Sequence, residues 1–179
     1  MLEGRQFENI ALVGFMGTGK STVGQLAASM LGFRFVDTDE MIEGMAQKRI
    51  ADIFASEGEA RFRAYEREVV TRLAGMTRAV ISTGGGMVTN PENMSSLKKH
   101  ALVVCLWCSA EGIFKRVGHQ THRPLLRVEN PLERIRALLK EREPAYRQAD
   151  VLLSSEFRKP REVATHVVHQ FRSVNTGRT

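Results

Sequence analysis

Eight residues, Gly14-Phe15-Met16-Gly17-Thr18-Gly19-Lys20-Ser21, constrain this chain more than any others. They spell G-x-x-x-x-G-K-[ST]. The apolar run Asn9-Ile10-Ala11-Leu12-Val13 before them reads as a buried strand, and Val23, Leu26, Ala27, Met30 and Leu31 after them recur at helical period. Glycines let such a loop wrap closely, so that successive N–H groups point inward at phosphate oxygens, helped by the dipole of the helix that starts there. Lys20 would reach the β- and γ-phosphates, and the Ser21 hydroxyl would take one position on Mg²⁺. Gly17, Thr18, Gly19, Lys20, Ser21 and Thr22 are therefore the expected ATP contacts. A glycine-rich turn that binds nothing is the alternative, and the strand and helix on either side argue against it. The chain is expected to bind a nucleoside triphosphate.

Strands and helices alternate through the remainder. Phe33 to Asp37 reads as a second strand, Ala79 to Ser82 as a third, Ala101 to Trp107 as a fourth and Val151 to Leu153 as a fifth. Between them lie a helical stripe of Phe62, Tyr65, Val69 and Leu73, a helix opened by Pro131, and a last one opened by Pro160. Right-handed crossovers through helices imply an α/β fold, a parallel sheet covered on both faces. At 179 residues, one domain spanning 1–179 is expected, with fraying after Arg172. Gly118 to Arg127 is polar, broken by Pro124 and set between helices; it reads as a lid or as an ordinary surface loop.

Composition excludes more than it selects. No long uncharged apolar stretch exists to span a membrane, and the first residues lack the apolar centre of a secretory signal, so the cytoplasm is the expected compartment. The net charge of +6 invites a nucleic-acid partner. Its basic residues are dispersed among acids, however, and no basic-aromatic alternation is present. A cleft for polyanionic ATP and an anionic second substrate would also be basic. Cys105 and Cys108, three apart on an apolar strand, should face opposite ways and remain free buried thiols. His166 and His169 share a helix face but have no further ligand nearby, so a solvated face is expected there.

Four more features surround the phosphate loop. Asp37-Thr38-Asp39 ends the second strand, at the edge where open α/β sheets bind ligands. Its carboxylates could divide between Mg²⁺, through water, and an acceptor hydroxyl, or could simply cap the next helix. Thr83-Gly84-Gly85-Gly86 leaves a surface free of side chains where a small ligand can lie against backbone amides. Arg63, flanked by Glu59 and Glu66 on one helix face, and Arg142 are either surface ion pairs or guanidinium forks for a carboxylate.

Taken in order, the phosphate loop with Met16, Asp37-Thr38-Asp39, Phe62-Arg63, the triple glycine, Arg123-Pro124-Leu125-Leu126, and Arg142 with Tyr146 resemble the shikimate kinase family. The resemblance runs from Asn9 to about Phe171. It implies a three-layer α/β/α fold of the nucleoside monophosphate kinase type, with a five-stranded parallel sheet in the order 2-3-1-4-5. It also implies transfer of the ATP γ-phosphate to the 3-hydroxyl of shikimate, in aromatic amino-acid synthesis. Position by position, Asp39 would hold the acceptor hydroxyls and orient or deprotonate one. Arg63, Arg142 and the Gly84, Gly85 and Gly86 backbone would hold the rest of the acceptor, in a substrate-binding segment at about 38–66 and beyond. Ser21 would ligate Mg²⁺, with Asp37 reaching it through water. Lys20 and Arg123 would compensate transferring charge, the latter from a lid at about 118–127, and Arg116 and Arg158 would flank adenine. ATP and shikimate are the implied partners, with neither nucleic acid nor membrane, and a monomer is expected. A gluconate kinase on the same fold, and a nucleic-acid-associated ATPase, are the competing readings.

Overall fold

The structure is a computed structural model that describes residues 6–117 and 128–176. Five parallel strands, β1 (Asn9–Val13), β2 (Arg34–Asp37), β3 (Ala79–Ser82), β4 (Ala101–Trp107) and β5 (Val151–Ser154), form one sheet in the order β2-β3-β1-β4-β5. Eight α-helices connect and cover them: α1 (Lys20–Leu31), α2 (Thr38–Ala46), α3 (Ile50–Ser56), α4 (Gly58–Leu73), α5 (Pro91–His100), α6 (Ala110–Val117), α7 (Pro131–Tyr146) and α8 (Pro160–Thr176).

The two faces follow from strand periodicity. Ile10 and Leu12 of β1 point to one side, where Val23 and Ala27 of α1 and Val163, Val167 and Phe171 of α8 pack on them. Ala11 and Val13 point to the other, into a larger core closed by α2 to α7 through Ile42, Ile53, Val69, Leu97, Ile113 and Leu138. Every residue of β1 is buried, as expected of a central parallel strand covered on both sides. Such burial contributes about 1.5–3 kcal/mol per large aliphatic side chain. The strand that feeds the phosphate loop is thus held firmly from both faces of the sheet.

Helix α8 runs to Thr176, and the Asn175 amide clasps the Phe7 backbone, accepting from its N–H at 3.2 Å and donating to its carbonyl at 3.0 Å. One expectation needs correction. Cys105 and Cys108 are free and buried, yet they line the same core rather than opposite faces. The strand ends at Trp107, so its two-residue period no longer governs Cys108. Burial pushes both thiols up, Cys105 to about 12. Helix α5 falls in a stretch that carried no assignment from pattern; Asn90 caps it by accepting from the Glu92 N–H at 2.9 Å, with Pro91 in its first turn.

At the edge of the sheet where β1 begins, Asn9 joins three segments. Its Oδ1 accepts from the Ala79 N–H at 3.0 Å and its Nδ2 donates to the Met76 carbonyl at 2.7 Å, which fixes the amide orientation. Nδ2 therefore also donates to His100 Nδ1 at 3.2 Å, which leaves the ring proton on Nε2, a buried atom with no hydrogen-bond partner among the described residues. Burial lowers the His100 pKa, and a proton on Nδ1 would set donor against donor. The unfolded chain then binds that proton more readily, so stability present above the ordinary histidine range is lost as pH falls through it. Between pH 7.5 and 5.5 the melting temperature should drop, and His100→Gln, whose amide oxygen can accept from Asn9, should remove part of that drop. Parallel drops in both proteins would show that His100 is not the group responsible.

Candidate active site

Helix α1 opens without a side-chain cap. Its cap residue, Gly19, sits at φ 95°, a left-handed conformation that glycine alone adopts without penalty, and no acid lies in the first turn. The amides there are left for an anion. Lys20 is buried across the mouth of the loop, its Nζ donating to the Gly14 and Phe15 carbonyls at 2.9 Å each. Thr18 is buried and braces the same turn through its hydroxyl, which donates to the Phe15 carbonyl at 2.8 Å. Thr22 is exposed on the first turn of α1. Gly17 lies against the end of α6, where a Cβ on it would come within 2.7 Å of Val117 Cγ1.

Asp37 caps the next helix and also reaches the phosphate loop. Its Oδ1 caps α2 by accepting from the Asp39 N–H at 3.0 Å, and its Oδ2 accepts from the Ser21 hydroxyl at 3.0 Å. Ser82 Oγ lies 3.3 Å from Ser21 Oγ. Parallel register places Ser82 beside Leu12 on one flank and Asp37 on the other. One carboxylate and two hydroxyls suit Mg²⁺, which keeps most of its waters and takes remaining oxygens from phosphates. No group of three or more His, Cys, Asp or Glu able to hold a metal occurs among the described residues, so a cage made wholly of protein is not the arrangement on offer.

The second half of the site gathers on the triple glycine. The Gly84 N–H donates to Thr38 Oγ1 at 2.9 Å, which ties the β3 loop to the start of α2. A Cβ on Gly84 would stand 2.7 Å from Asp39 Oδ1, and one on Gly86 would stand 2.8 Å from Arg63 Nη1. Both side chains thus lie directly on the glycine surface. Arg142, buried on the last turn of α7, approaches from the other side, with Nη1 3.7 Å from the Cβ position of Gly85 and its guanidinium 5.5 Å from the Phe15 ring centroid. Asp39, Arg63 and Arg142 converge there, which their spacing in sequence could not establish.

Burial and the negative charge of Asp37 push the Asp39 carboxyl up to about 6, with Glu66 and Glu43 adding to the effect and Lys20 opposing it. Arg63 does pair with Glu59 and Glu66, both at 2.8 Å, but Glu66 is only 1% exposed. This is not a solvated surface network. Glu66 anchors Arg63 from below, and burial pushes its own carboxyl up against the pull of Arg63. A solvated face was one of the two readings open for Glu66 from sequence; the signal for the other was its three-residue spacing from an arginine next to Phe62. Ser82 and the backbone tie through Thr38 had no signal beyond their positions at strand ends.

Arg116, at the end of α6, donates to the Gly17 carbonyl at 3.2 Å and the Ser155 carbonyl at 2.7 Å, so it bridges the phosphate loop and the turn after β5. Arg158 is exposed on that turn and forms no hydrogen bond or ion pair with the loop. Arg123 and the expected lid at 118–127 lie outside the described residues.

A phosphate loop at the end of a central parallel strand, facing a small acid-and-guanidinium pocket on the next strand ends, defines a P-loop kinase of small molecules. The likeness reaches further than the class. Residues 16–172 match the family described as shikimate kinase. A shikimate kinase from Thermodesulfovibrio yellowstonii is 46% identical over 172 residues, 96% of this chain and 99% of that one. The solved shikimate kinase from Acinetobacter baumannii, in complex with shikimate, superposes with a TM-score of 0.90 at 38% identity, covering 95% of this chain and 96% of the other. That from Aquifex aeolicus gives 0.83 at 35% identity over 94% and 99%. The chain belongs to the shikimate kinase family.

The electrostatics of Asp39 can be checked without any ligand. Carbon-13 NMR should follow its carboxyl titrating near 6. Asp37→Asn removes a like charge and should bring that midpoint down, whereas Lys20→Met removes the counter-charge and should raise it. A midpoint in the ordinary aspartate range, or shifts of the opposite sign, would remove Asp39 from this charge cluster.

Proposed function

We propose that this protein transfers the γ-phosphate of ATP to the 3-hydroxyl of shikimate, giving ADP and shikimate 3-phosphate. The observation that carries this reading is the convergence of Asp39, Arg63 and Arg142 on the triple glycine, beside a phosphate loop whose helix opens without a side-chain cap. Two guanidinium forks match one carboxylate, and a carboxylate of raised basicity matches the hydroxyls of a polyol acid.

The residues divide the work as follows. The amides of Gly17 to Thr22 and the Lys20 ammonium hold the β- and γ-phosphates. Arg63 and Arg142 take the acceptor's carboxylate, and the amides of Gly84 to Gly86 line its face. Asp39 accepts a hydrogen bond from the 3-hydroxyl and takes its proton as that oxygen bonds to the γ-phosphorus, while the bridging oxygen leaves with ADP. At neutral pH a carboxyl titrating near 6 is mostly ionised and is a stronger base than an ordinary aspartate. Ser21, and Asp37 through water, would hold Mg²⁺, which when bound neutralises charge on the phosphates. Little covalent work falls to the protein, so catalysis rests on positioning and on preorganised charge.

Within a single P-loop kinase domain, residues 118–127 act as the lid that brings Arg123 to the transferring phosphate and excludes water. Arg116 and Arg158 flank the adenine. No helix among the described residues is long and apolar enough to cross a membrane. A cytoplasmic monomer is the proposed working form.

An ADP-release assay across shikimate, quinate, gluconate and nucleoside monophosphates tests the reading. Turnover should be confined to shikimate, with kcat/KM falling about tenfold per pH unit below 6 as Asp39 is protonated. Asp39→Asn should abolish turnover while MgATP still binds. Comparable turnover of gluconate or a nucleoside monophosphate would overturn the acceptor assignment.

The carboxylate grip has its own test. Lysine in place of Arg63 or Arg142 keeps the charge and loses the planar fork. Shikimate affinity, measured by titration calorimetry, should fall at least tenfold while ATP affinity barely changes. Equal losses for both ligands would assign these arginines to the scaffold.

A further inference from the structure

Phosphoryl transfer makes no call on the hydroxyl of Tyr146, yet it is buried within the acceptor pocket at 1% exposure. It donates a 2.6 Å hydrogen bond to the Gly85 carbonyl. The Arg142 guanidinium, one turn earlier on α7, lies beside the phenol and opposes the rise of its pKa, with Nη1 3.7 Å from the Cβ position of Gly85. Burial holds this phenol up at about 12, so it stays a donor throughout the physiological range.

That hydrogen bond has a geometric consequence. In a trans peptide the C=O and the following N–H point in opposite directions. Holding the Gly85 carbonyl toward α7 therefore aims the Gly86 N–H away from α7, into the pocket. Three other polar groups of the loop are occupied. The Gly84 N–H bonds to Thr38, the Gly84 carbonyl accepts from the Met87 N–H at 3.1 Å, and the Gly86 carbonyl accepts from the Thr89 N–H at 3.1 Å. The amides of Gly85 and Gly86 have no partner among the described residues. Three successive glycines also have no side chain to fix their peptide planes, and glycine visits more conformations than any other residue. An external tether is what such a loop lacks.

We propose that Tyr146 is a positioning residue for the acceptor: its hydroxyl holds the Gly85 peptide, and with it the Gly86 amide, in place beside the Arg142 guanidinium, so that both can meet the bound acid. The role of the pair toward shikimate rests on the function proposed above; the orientation of the loop does not. Anchoring from α7 also explains why a buried phenol stands one turn from a substrate-facing arginine. Both act on one ligand from one helix.

Tyr146→Phe in the full chain removes only the oxygen. The KM for shikimate should rise about tenfold, with the KM for ATP within twofold, kcat reduced less than threefold and the melting temperature nearly unchanged. Combined with Arg142→Lys, it should cost less than the product of the single losses, because both substitutions break one linked unit. In the ligand-free protein, the nitrogen-15 resonances of Gly85 and Gly86 should move and their amide exchange should quicken. A shikimate KM within twofold of wild type, a parallel rise of both KM values, or unmoved glycine resonances would each overturn the proposal. Moved resonances in a wild type that does not turn over shikimate would uphold the tether and sink the acceptor assignment alone.

Discussion

A helix that opens on a left-handed glycine has no side chain with which to satisfy its first amides, and the carboxyl edge of this sheet is arranged around that deficit. Helices α2, α5 and α7 are each capped by the side chain that precedes them, Asp37, Asn90 and Asn130. Helix α1, the one that follows the central strand, has neither a cap nor an acid in its first turn. Free amides and a helix dipole together attract an anion. Burial of β1 on both faces keeps the loop from relaxing into some other turn, since any shift would unpack Ile10 and Leu12 from one core and Ala11 and Val13 from the other.

Around that anion site the charges are matched pairwise but not fully neutralised. Lys20, Arg63 and Arg142 face Asp37, Asp39 and Glu66 in a partly dry pocket where Coulomb terms are strong. Arg63 is committed to Glu66 below it. Asp37 is committed to Ser21 and to the start of α2. Asp39 is buried, with like charges nearby and Lys20 opposing them, which is why its carboxyl rises to about 6. Its raised basicity thus follows first from burial and then from where the other carboxylates are held. Raised basicity of this kind is common at functional sites.

The phosphate loop, the five strands and the covering of the sheet could be read from pattern, because each depends on residues within a few positions of one another. The strand reading Asn9–Val13 matches to the residue, as does Ala101–Trp107. Pattern failed where a neighbour outside the window decides. Asp37 could be a cap or a site residue by its spacing; it caps α2 and also accepts from Ser21 of the phosphate loop. Cys108 lost its strand period one residue after Trp107. A solvated surface was one reading of Glu66, since an i, i+3 ion pair is usually a surface feature; the fold buries it, with Oε1 3.7 Å from the Cβ position of Gly84.

By itself the sequence determined the class of chemistry. A glycine-rich loop between a buried strand and a helix has few other physical uses, and those residues are contiguous. Which residues lie together beside the phosphate loop was settled only by the tertiary structure. Asp39, Arg63, the glycines and Arg142 come from α2, α4, the β3 loop and α7, spread over more than half the chain. Their meeting depends on parallel register, on the Thr38 and Tyr146 hydrogen bonds to the glycine loop, and on close approaches that a single Cβ would block. Contacts of that kind are made between elements, and no local pattern encodes the distance between two strands' ends.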